Sequence, residues 1–139
     1  MTTATPTARG AAAREPIIRA AIAALGAVSL ALGIFMAVAP SAFFDAIGPF
    51  GTRNGHYIRD MATWQIAVGG ALLVAAGRPA WRRPLIAVGA AQALLHAVNH
   101  VVDVGDADPA WVGVFDLVTI AATLGLFAWL WSATAEVNR

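Results

Sequence analysis

Gln92, His96, Asn99, His100 and Asp103 interrupt an otherwise apolar stretch of this 139-residue chain. At ~100° per helical residue they fall within an arc of roughly 100°, a polar stripe on one helix face. Lipid cannot satisfy such a stripe, so it must face protein or water. His96 and His100 stand at i and i+4, a spacing that lets two imidazoles share a metal ion, with Asp103 as a third ligand. The sequence has no His-Glu-x-x-His pattern, and no Glu lies within its four long apolar runs, so metalloprotease chemistry lacks its signature. Asp and His chains inside membranes also serve proton relays, but four short spans without an inverted repeat make a poor transporter. Haem ligation needs two His on different helices, such as His56 with His96 or His100. Against all of these stands a structural role, in which the polar groups hydrogen-bond to one another and fix helix register.

Other polar residues belong to the same question. His56, Asp60 and Trp64 are spaced by four and share a face, with Arg59 beside them. Asp116 lies in the last apolar run, with Thr119 and Thr123 on nearly the same face. A charge at mid-bilayer is unfavourable by at least ~2.5–3.5 kcal/mol, so an ionisable residue there is a candidate functional group.

The elements that position these residues follow from composition. The chain is 59% hydrophobic and only 12% charged, with a mean hydropathy of +0.69. Soluble domains carry about a quarter charged residues, so this balance points to lipid. The net charge of +1 gives no nucleic-acid footprint. All nine basic residues are arginine, which together with the abundant alanine suits a GC-rich bacterial genome. Cysteine is absent, which excludes disulfides, thiolate metal sites and Cys nucleophiles. A spanning helix takes about 20 apolar residues. The apolar runs predict four, over residues 16–39, 57–76, 84–102 and 110–131. They form one all-α membrane bundle, residues 16–132, between a disordered tail at 1–15 and a short tail at 133–139. Ala37-Val38-Ala39 resembles a signal-peptide cleavage site, but the run is longer than an h-region and Pro40 would follow the cut.

Phe43, Phe44, Ile47 and Phe50 in the link after the first span suggest a short amphipathic helix, lying in the interface or packed on the bundle. Ser29 with Gly33, Gly89 with Ala93, and Ala121 with Gly125 are small residues spaced for close helix approach. They fit a tight bundle and equally a homo-oligomer or a membrane partner protein.

Arginine sets the orientation. Arg9 and Arg14 precede the first span and Arg19 lies in its first turn, and Arg78, Arg82 and Arg83 separate the second from the third. The third-to-fourth loop carries Asp103, Asp106 and Asp108 with no base. The positive-inside rule then places both termini in the cytoplasm of a multi-pass plasma-membrane protein. It brings the start of span two, the end of span three and the start of span four together at the outer face. The expectation is one outward-facing polar cavity lined by His56, Arg59, Asp60, Gln92, His96, Asn99, His100, Asp103 and Asp116.

Four stretches carry a resemblance: Phe50-Gly51-Thr52-Arg53-Asn54-Gly55-His56-Tyr57-Ile58-Arg59-Asp60, Trp81-Arg82-Arg83-Pro84, His96-Ala97-Val98-Asn99-His100-Val101-Val102-Asp103 and Asp108-Pro109-Ala110-Trp111. Over residues 40–131 the chain resembles a group of small, uncharacterised four-span proteins of actinobacteria, and more distantly the DoxX-like membrane proteins. The resemblance implies fold and membrane location, with no reaction, cofactor or ligand to carry over. The function expected is a non-enzymatic membrane protein binding a ligand, ion or partner in its outward cavity. The alternative is a metal- or quinone-dependent oxidoreductase subunit.

Overall fold

A computed structural model describes residues 6–137, with side chains from 13 to 135. The elements are α1 (Pro6–Val38), α2 (Pro40–Ala46), α3 (Gly55–Gly77), α4 (Pro79–Val102) and α5 (Trp111–Val137). Helices α1, α3, α4 and α5 each contain a stretch long and apolar enough to cross a membrane, with mean hydropathies of 2.4, 1.2, 1.5 and 1.8. At ~1.5 Å per residue even the shortest spans the roughly 30 Å hydrocarbon core. The chain is thus an all-α bundle of the multi-pass membrane type. Large apolar side chains such as Val38, Leu95 and Val102 are exposed on its outside, where lipid replaces water as solvent.

The helices run longer than the apolar runs suggest, for local reasons. Residues 6–15, expected as a disordered tail, are helical; the stretch is rich in Ala and Arg, both good helix formers. Residues 1–5 and 138–139 lie outside the described residues. Helix α1 therefore contains Glu15, which the apolar runs leave out. The expected link between spans two and three shrinks to a single residue. Arg78 is extended (φ −129°, ψ 93°) because the following proline disfavours helical backbone before it. Pro79 then opens α4 at a position where its missing N–H is not needed, and Pro84 sits inside the helix rather than at its start.

Around the bundle α1 packs on α3, α3 on α4, α4 on α5, and α5 on α1. Both described termini and the Arg78 turn lie at one end, the termini end. Helix α2 and the 103–110 loop lie at the other, the loop end. The α1–α3 contact is backbone on backbone. A Cβ on Gly26 would lie 2.9 Å from the Gly69 carbonyl oxygen, and one on Gly33 would lie 2.8 Å from the Ile66 nitrogen. Of the other predicted small pairs, Gly89 lies under the Phe127 ring beside buried Ala93, whereas Gly125 has open space around it.

The core divides in two. In the termini half Ile18, Ile22, Leu72, Ile86, Phe127 and Leu130 join all four long helices. In the loop half a smaller cluster of Met36, Ile58 and Ala62 joins only α1 and α3, covered by Phe43 and Phe44 of α2. Phe43 also meets Phe35 edge-on at 6.1 Å. The aromatic face of the link is thus packed on the bundle.

Candidate functional site

Where the core divides, the α1–α3 pair separates from the α4–α5 pair and leaves a cavity of about 280 Å³. All four long helices contribute to it. Its apolar wall includes Leu25, Val28 and Leu32 of α1, Val68 and Leu72 of α3, and Ile120 and Phe127 of α5. Its polar wall is Ser29, Gln65, Gln92, His96, Thr119 and Thr123. Gln65 is near the middle of α3, so the polar wall is close to mid-membrane.

The polar groups differ in what they have left to offer. The Ser29 hydroxyl donates to Gln65 Oε1 at 2.8 Å and lies 3.0 Å from the Gln65 carbonyl oxygen, tying α1 to α3. Thr119 donates to the Asp116 carbonyl and Thr123 to the Thr119 carbonyl, both at 2.9 Å, so their protons are spent within α5. Among the described residues no hydrogen bond holds the Gln92 amide or the His96 ring nitrogens. A polar group in an apolar setting without a partner is unfavourable by roughly 1–3 kcal/mol. Gln92 and His96 therefore present free hydrogen-bonding capacity to the cavity.

One turn toward the loop end, the His100 ring meets His96 edge-on at 4.6 Å and Phe50 at 5.1 Å. Its Nδ1 is buried with no partner. Asp116 of α5 is also buried, within electrostatic reach of His100. Phe50 is held in place by a bridge to Ala107 and by the Asp108 N–H donating to the Pro49 carbonyl at 3.1 Å. Gly51 allows the turn after it, with φ at +60°.

The nine residues expected in one outward cavity fall into two groups. Gln92 and His96 line the intramembrane cavity, whereas half-buried His100, which touches His96, and buried Asp116 are not among its lining residues. His56, Arg59, Asp60, Asn99 and Asp103 are exposed at the loop end and do not line it. His56 Nε2 and Asp60 Oδ2 stand 3.3 Å apart on the surface of α3, satisfying each other rather than the cavity. Asp103 caps α4, its N–H donating to the Asn99 carbonyl at 2.9 Å. Among the described residues no three His, Asp or Glu side chains are grouped to hold a metal ion, the set His96, His100 and Asp103 included.

Two polar features escaped the sequence reading. Ser29 and Gln65 are single polar residues in separate apolar runs, and only the fold pairs them. Arg82, counted from sequence among the arginines between spans two and three, is 5% exposed. Its Nη1 and Nη2 each donate to a Glu15 carboxylate oxygen at 2.8 Å. Its Nε and Nη2 also donate to the carbonyls of Ala75 and Ala76 at 3.2 and 3.0 Å, satisfying the C-terminus of α3. The neighbouring Arg83 guanidinium lies 3.8 Å over the Trp131 ring.

Fold and site together define an all-α bundle of four helices long and apolar enough to cross a membrane, with a mainly apolar cavity among them that has one polar wall. Neither the protein-family models, nor the curated proteins, nor the solved structures compared with this chain give a match.

Proposed function

We propose that this protein binds a small molecule within the membrane, in the cavity among its four long helices, and does so without transforming it. One observation carries the proposal: Gln92 and His96 line an intramembrane cavity of about 280 Å³ and find no hydrogen-bond partner among the described residues. An engineered apolar cavity of ~150 Å³ accommodates benzene, so this one has room for a substituted ring or a folded chain end. The apolar side chains around it supply contact area, and the few polar groups fix orientation, as is usual in ligand sites. The distribution of arginine supports an orientation with both termini in the cytoplasm and the Phe50 turn on the outer side.

The test is what the protein carries. Wild type and a cavity-filled Thr123→Phe variant are purified in lipid nanodiscs, extracted with organic solvent and compared by mass spectrometry. Wild type is expected to retain one compound in near-stoichiometric amount that the variant loses. Identical extracts from two equally well-folded proteins would overturn the proposal.

A further inference from the structure

The cavity is closed along its axis. Toward the termini end, the Phe127 ring lies against Gly89, and beyond it Ile18, Ile22, Ile86 and Leu130 are each 0% exposed. Toward the loop end, His96, His100 and Phe50 form a column of edge-to-face rings under the Phe50–Ala107 bridge, where Pro49 and Ala107 are buried. The α1–α3 seam is shut by the touching backbones of Gly26 and Gly69 and by the Ser29–Gln65 hydrogen bond.

The α1–α5 seam differs between its halves. In the termini half it is filled by Ile18, Ile22, Phe127 and Leu130. In the loop half Val28 of α1 and Thr119 of α5 both line the cavity and are both exposed on the outside of the bundle, Val28 by 68%. A side chain can do both only where the wall is open. That opening faces hydrocarbon.

The cavity wall also has a definite chemistry. It offers amide, imidazole and hydroxyl groups, and no Arg, Lys, Asp or Glu lines it. A charged headgroup drawn to this depth would lose its hydration with no countercharge to meet it. We infer that the cavity is reached sideways from the bilayer, between α1 and α5. Its occupant is an uncharged, lipid-dissolved amphiphile, a hydrocarbon body ending in a hydroxyl or carbonyl that Gln92 and His96 hydrogen-bond. This rests on the proposed binding role and adds the route and the ligand class.

The chain contains no cysteine, so a single introduced thiol reports on access. A Thr123→Cys variant in sealed vesicles is treated with an uncharged lipophilic maleimide or a charged, membrane-impermeant one, the latter supplied on both faces. A Gln92→Cys variant serves if the first does not fold. The uncharged reagent is expected to react at least about tenfold faster, since a charge disfavours the hydrocarbon route. Adding Val28→Trp should block the seam and slow that reaction about tenfold, because the indole fills the gap. Adding Val38→Trp, at a lipid-facing position 75% exposed, should leave it unchanged. Preloading with 1-dodecanol should slow labelling, whereas dodecyl phosphate should not. Faster labelling by the charged reagent, labelling by neither, or indifference to Val28→Trp overturns the lateral route. Equal protection by the alcohol and its phosphate overturns the uncharged ligand. If the route fails while Thr123→Phe still loses the retained compound, the binding role stands and only this inference falls.

Discussion

The termini half and the loop half of this bundle have the same helices and nearly opposite packing. In the termini half all four long helices meet, the core residues Ile18, Ile22, Ile86 and Leu130 are fully buried, and Arg82, the one buried cation among the described residues, donates hydrogen bonds to Glu15, Ala75 and Ala76. In the loop half the smaller core cluster joins only α1 and α3, the cavity opens, and Gln92, His96 and His100 Nδ1 lack hydrogen-bond partners among the described residues. Satisfied polar groups hold a structure together, and unsatisfied ones mark where something else is to bind. On this comparison, substitutions in the first half should cost stability and those in the second should cost binding.

The largest loss is expected from Gly69→Leu. Its backbone lies so close to α1 that even a Cβ would come within 2.9 Å of the Gly26 carbonyl oxygen. The helices must separate, and overpacking of this kind destabilises by up to roughly 3 kcal/mol. Reversible unfolding in mixed micelles of increasing SDS measures it. A variant as stable as wild type would mean that the α1–α3 contact is not tight.

Arg82→Met should follow. It leaves the Glu15 carboxylate and the Ala75 and Ala76 carbonyls without their donor. Removing one partner of a buried pair can destabilise by several kcal/mol. Glu15 keeps 40% of its side chain exposed, so solvent screening brings the expected loss to about 2 kcal/mol. A Glu15→Gln double-mutant cycle in the same micelles isolates the coupling, and a coupling near zero would make Arg82 an anchor to backbone alone. Ser29→Ala ranks third. It removes one hydrogen bond to Gln65, and interhelical hydrogen bonds in membranes average ~0.6 kcal/mol. A loss above about 2 kcal/mol would make the Ser29–Gln65 contact a principal brace rather than a minor tie.

The bundle was legible from sequence because each span is a local property, a run of apolar residues closed by Gly, Pro or Asp. The helix ends were less so. Proline was read as a boundary at residues 16 and 84, yet both positions lie inside helices, and Pro79 after Arg78 makes the actual turn. The candidate site was partly legible. The stripe on α4 is a local pattern, and Gln92 and His96 do turn inward. The rest do not line the cavity; their depth had to be inferred. His56, Asp60 and Asp103 stand at helix ends that reach the surface, so water and local partners satisfy them. Ser29 with Gln65, 36 residues apart, and Glu15 with Arg82, 67 apart, are long-range pairs with no local signal. Only the packing of α1 against its neighbours creates them.

The smallest expected effect separates the two readings of the polar stripe most directly. Gln92→Leu and His96→Leu each remove a group with no hydrogen-bond partner among the described residues. If the stripe were internal glue, each substitution would break a bond and lower stability by about 1 kcal/mol. If the groups are held ready for a ligand, an apolar replacement relieves an unfavourable exposure. Stability in ligand-free detergent should then stay within about 0.5 kcal/mol of wild type, or rise. The same variants in native lipid should lose the retained compound and with it the stabilisation that binding confers, since anything that binds only the folded state adds to its stability. The measurement is the difference between the two conditions. Wild type should be stabilised in native lipid relative to stripped detergent by more than either variant, and an equal gain in all three would return the stripe to a structural role.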